Sequence, residues 1–127
     1  MGGSDVKRIA LCLLCVLAFF IGRGYSQTVY TTVTIANGTA ALGTGAINSG
    51  TCASVVTISA PGTLSTDNII ADFNTDPTGV TGYSPTSGGI LTIIKYPGLN
   101  TVSFKVCNST TLPITPGPIT LNWRVPR

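Results

Sequence analysis

The chain contains no histidine and no glutamate, and its only acids are 4 aspartates against 7 basic residues in 127 positions. Those are the groups that most often serve as general acid or base near neutral pH. No aspartate sits in an aspartic-protease context, and no cysteine can have a histidine partner. The sequence is therefore expected not to be an enzyme and to need no cofactor. Aromatics are few, with a single tryptophan, Trp123, and helix formers are scarce. Thr, Val and Ile dominate instead, and these favour strands.

The first residues carry a different signal. Lys7 and Arg8 precede an apolar run from Ile9 to Gly22 that is too short to span a bilayer comfortably but fits the core of a secretory signal peptide. Gly24 and Ser26 stand at the minus-three and minus-one positions of a cut before Gln27, as signal peptidase requires. An uncleaved anchor is the alternative, and a lipoprotein is disfavoured because large leucines precede Cys12 and Cys15. The expected organisation is a cleaved segment 1–26 and one domain over 27–127, with no membrane span in the mature chain and a secreted or cell-surface destination.

Cleavage leaves Lys95, Lys105, Arg124 and Arg127 against Asp67, Asp72 and Asp76. A chain so close to neutral has no charge with which to bind nucleic acid or an acidic membrane. It also leaves a single pair of cysteines, Cys52 and Cys107, in an oxidising compartment. They are expected to form a disulfide that closes a loop of roughly 55 residues and contributes about 4 kcal/mol.

Strand patterns recur along the mature chain. Thr28 to Ile35 alternates, with Val29, Thr31, Val33 and Ile35 on the expected buried face. Ala36 to Thr51, rich in Gly, Ala, Thr and Asn, reads mainly as loop, with a weak strand as the alternative. Val55 to Ala60 and Asn68 to Phe73 are strands, the second with Ile69, Ala71 and Phe73 on its core face. Asn74 to Gly89 reads as a long loop that hides, at most, a short strand near Val80 to Tyr83. Ile90 to Tyr96, apolar on both faces at its centre, is expected to be a central strand. Pro97 and Gly98 suit a type II turn into the next strand, where Val102, Phe104 and Val106 face the core. Ile119, Leu121, Trp123 and Val125 mark a final amphipathic strand, which makes Trp123 a core residue. About seven short strands and no helical period point to an all-β fold, a small antiparallel two-layer sandwich of immunoglobulin-like or jelly-roll type. Trp123 follows the second cysteine, so the immunoglobulin cysteine and tryptophan pattern is not met.

Other residues carry possible chemistry. Asp72, Asn74 and Asp76 match the start of a calcium loop, but Pro77 replaces its glycine and Tyr83 stands where a glutamate would close it, so a plain turn is the better reading. Tyr83 is the candidate for contact with a glycan. Asn37 ("NGT") and Asn108 ("NST") are glycosylation sequons.

In style the chain is similar to many surface and fimbria-like subunits, although no motif carries that likeness. The expected function is that of a non-enzymatic extracellular structural protein, a subunit of a surface assembly or filament that self-associates through strand edges, with exchange of the N-terminal strand as one route. A monomeric binding module, an adhesin or carbohydrate-binding domain, is the alternative.

Overall fold

The computed structural model describes residues 31–85 and 90–127. The expected signal segment, its expected cleavage point and Thr28 to Tyr30 lie outside the described residues. Six strands follow in order: β1 (Thr34–Leu42), β2 (Val56–Ser59), β3 (Ile70–Phe73), β4 (Thr92–Gly98), β5 (Thr101–Cys107) and β6 (Ile119–Pro126). They form two antiparallel three-stranded sheets, β1-β6-β3 and β2-β5-β4, with isolated bridges at Ile47↔Ile114 and Cys52↔Cys107. This all-β arrangement with a single disulfide is that of a small β-sandwich.

The two central strands supply half of the buried apolar residues, as their alternation requires. Val102, Phe104 and Val106 of β5 and Ile119, Leu121, Trp123 and Val125 of β6 are all buried. A sheet covered on one face buries every second residue. Ala60, Ile69 and Leu91 complete the interior from the flanking chain.

The disulfide joins directly opposed residues whose Cα atoms are 3.9 Å apart. The Ala53 N–H donates to the Val106 carbonyl and the Asn108 N–H to the Thr51 carbonyl, so the cysteines form a pair flanked by ladder bonds rather than joined by them. The bridge is partly exposed and fastens the segment before β2 to the end of β5.

Several expectations are corrected. The segment expected to be loop at Ala36 to Thr51 contributes most of β1, while Thr31 to Val33 lie outside it. Pairing shifts by one residue between Thr34 and Ala36, a bulge that turns Ala36, Gly38, Ala40 and Leu42 inward after Ile35. Small residues are needed here because the indole of Trp123 lies against this strand. A Cβ on Gly38 would stand 3.0 Å from Trp123 Cζ2. Val33, expected to be buried, bonds to Arg127 past the end of the core and is 56% exposed.

The strand at Ile90 to Tyr96, expected to be central, is an edge. β5 takes the central place, and Ile90, Ile94 and Tyr96 are exposed on the outer side. The expected Pro97–Gly98 turn moves by two residues, because Gly98 pairs with Thr101 and the turn consists of Leu99 and Asn100. Asn100 adopts the left-handed conformation (φ 57°). It holds the turn there by donating its N–H to the Thr63 carbonyl and accepting from Ala60 N–H and Gly62 N–H at 2.8–2.9 Å. No short strand forms near Val80 to Tyr83, where a 3-10 turn at Pro77–Gly79 leads into further turns.

The contact between Gly38 and Trp123 is testable. Gly38→Ala overfills the core and is expected to cost about 1–3 kcal/mol in chemical denaturation. Gly45→Ala, with no atom within 4 Å of its added carbon, should change stability by less than about 0.5 kcal/mol.

Candidate functional site

Backbone hydrogen bonds locate the part of the sandwich that is left incomplete. The Asn74 N–H donates to the Thr120 carbonyl at 3.0 Å, which fixes the phase of the β3–β6 ladder. Asn74, Asp72 and Ile70 thus bond to β6, and the N–H and C=O groups of Ala71 and Phe73 point to the free side. On the other sheet, the cysteine pair fixes the phase in the same way. Thr92, Ile94 and Tyr96 bond to β5, while Ile93 and Lys95 turn their backbone groups outward.

These two free edges flank one opening. Between the sheets β1 approaches β2 and β5, and no comparable approach joins β3 to β4 among the described residues. A groove of about 180 Å³ lies there, lined by Ala71, Asp72 and Phe73 of β3, Ile93 and Lys95 of β4, and Leu121 of β6. Leu121 is a core residue, so the groove leads into the interior of the sandwich.

The two edges differ in how they are guarded. Lys95 has the inward parity of β4, opposite Phe104, and Pro97 has no N–H to offer. An inward-pointing lysine and an edge proline are devices that discourage pairing. β3 has neither device. Its free residues are an alanine and a phenylalanine, and its only charge, Asp72, points away from the core.

The residues singled out in the sequence are dispersed. Tyr83, the glycan candidate, is only 4% exposed and packs edge-on against Phe73, with ring centroids 5.7 Å apart. Its hydroxyl has no hydrogen-bond partner among the described residues, and burial pushes its pKa up. It supports the groove wall from behind rather than offering a surface platform.

Asp72, Asn74 and Asp76 do not converge on a cation. Asn74 continues the β3 ladder, and the Asp76 carboxylate caps the 3-10 turn by accepting from Thr78 N–H (2.9 Å) and Thr78 Oγ1 (2.7 Å). Those two bonds, the backbone one first, hold its pKa below the usual carboxylate value. No group of three His, Cys, Asp or Glu side chains could hold a metal among the described residues.

The two sequons part ways. Asn37 is exposed on β1, whereas Asn108 is 1% exposed. Its Nδ2 donates to the carbonyls of Ile47 (2.9 Å) and Leu112 (2.8 Å), and its Oδ1 accepts from Thr110 N–H (2.9 Å). The nitrogen that would carry a glycan is thus fully used inside the protein. Asn108 is a structural tie between the chain before the disulfide and the loop before β6. An Asn-x-Thr triplet also reads as an Asx turn, and that was the signal for this role.

Sequence reasoning missed Asp67 as well. It accepts from Arg127 Nη2 at 2.6 Å and from Leu64 N–H at 2.8 Å, and the arginine first, then the amide, hold its carboxyl below the usual range. The groove itself was not visible in the sequence, since β3, β4 and β6 are brought together only by topology.

No family model, curated protein or solved structure matches the chain.

Asn108 provides a direct check of its structural role. Asn108→Ala removes its two donated bonds and the acceptor for Thr110 N–H, while the Ile47 and Leu112 carbonyls keep the Ile114 N–H and Thr110 Oγ1 as donors. It is expected to cost about 1–2 kcal/mol in urea denaturation, whereas Asn37→Ala should be close to neutral.

Proposed function

We propose that this protein is a secreted, non-enzymatic structural subunit that assembles with copies of itself through the edges of its sheets. The observation that carries this is the open side of the sandwich, where the backbone groups of Ala71 and Phe73, without a partner among the described residues, stand beside a groove that runs down to Leu121. Unpaired N–H and C=O groups next to apolar surface favour the addition of a strand. The near-neutral composition agrees with this, because it provides little like-charge repulsion between copies. An extracellular setting is supported by the apolar N-terminal run, by the Cys52–Cys107 disulfide, and by the lack of a helix among the described residues long and apolar enough to cross a membrane.

Sedimentation velocity and negative-stain electron microscopy of the chain from Gln27 to Arg127, over a wide concentration range, test this directly. Concentration-dependent oligomers or filaments are the expected outcome. A single monomeric species at every concentration would overturn the proposal in favour of a monomeric binding module.

A further inference from the structure

We infer that the groove between β3 and β4 accepts an extended segment, residues 27–32, from a second copy of the chain. This rests on the assembly reading above and names the surface and the segment through which it works.

Geometry of the acceptor comes first. β3 is short and carries Asp72, but it has neither an inward lysine nor a proline, and it turns the N–H and C=O groups of both Ala71 and Phe73 to the side away from β6. A strand laid along it would bond to those groups and turn alternate side chains over Phe73, Ile93 and Leu121. Lys95 and Pro97 guard the β4 side, so β3 is the edge that takes the partner.

The donor is identified by its sequence pattern and by its place just ahead of β1. Residues "QTVYTT" alternate as a strand does, with no charge, no proline and no glycine. Among the described residues ahead of β1, Thr31 and Thr32 are exposed and outside any strand, and the last backbone exchange of the β1 ladder joins Val33 to Arg127. Val29 and Thr31 share a face and are small and β-branched, which suits a narrow groove. An uncharged segment can also pass between Asp72 and Lys95 without leaving a buried charge unpaired.

Reach decides between the same copy and another. Val33 lies level with Arg127, and the floor of the groove lies level with Leu121, on the far side of β6 from β1. To arrive there a chain must return about 20 Å along the sheet and cross three strand spacings, from β1 past β6 and β3, about 14 Å. Six residues span about 20 Å when fully extended. The return therefore consumes the whole segment before any residue can pair, and the groove that it can fill is a neighbour's.

Two variants and their mixture test this. One lacks residues 27–32, which leaves the described sheets intact but removes the donor. The other, Ala71→Arg, puts a long side chain across the groove, from which its charge can still reach solvent. Circular dichroism and thermal melting first confirm that both fold. Each alone is expected to remain monomeric at concentrations where the parent chain assembles, and a mixture should form a dimer and stop, because only one donor and one groove remain. A synthetic peptide of residues 27–33 should raise the melting temperature of the truncated chain and not that of Ala71→Arg. If Ala71→Arg does not fold, the peptide shift on the truncated chain and its loss of assembly decide the matter. Assembly of the truncated chain at parental concentrations would overturn this inference and leave the assembly reading standing. A parent chain that is monomeric throughout, and whose melting temperature falls on truncation, would overturn both by placing the segment within its own subunit.

Discussion

Four of the six strands among the described residues are edges, and that constraint shapes the rest of the molecule. Only β5 and β6 are hydrogen-bonded on both sides. Every other strand has one side on which backbone donors and acceptors must find a partner, water or a covering group. In a chain with so few charged residues the means available are few, and each edge is treated differently.

Along one side the sheets close on each other. β1 lies against β2 and β5, and its small residues make room for the indole of Trp123 within their own sheet. Nearby, the disulfide and the Asn108 tie fix the end of β5 to the chain that leads into β2. Asn100 does the same at the opposite end, where it bonds to the loop between β2 and β3. On the other side both β3 and β4 turn backbone groups to the groove, but β4 carries Lys95 and Pro97 there and β3 carries neither an inward lysine nor a proline.

Much of the fold was legible in the sequence because its central strands are the most regular. The alternation of Ile119, Leu121, Trp123 and Val125, and of Val102, Phe104 and Val106, follows from one-sided burial. The lone pair of cysteines in the mature chain left one intramolecular pairing. What was not legible depends on contacts distant in sequence. The glycine and alanines of β1 look like linker until the indole of Trp123 is seen against them. Ile94 and Tyr96 look like a doubly covered strand, and only topology makes β4 an edge. The Pro97–Gly98 turn was sound local chemistry, overridden by three bonds from Asn100 to residues far away in the chain. The groove required three strands from two sheets to come together, and no local pattern encodes that.

Native-state hydrogen exchange of individual amides, compared between dilute and assembled protein, tests the open edge of β3 most directly. The account predicts that Ala71 and Phe73 amides exchange rapidly in the monomer and become protected on assembly, while those of Ile70 and Asp72, bonded to β6, are protected in both. Protection of Ala71 and Phe73 in the monomer, or their continued rapid exchange in the assembled state, would contradict it.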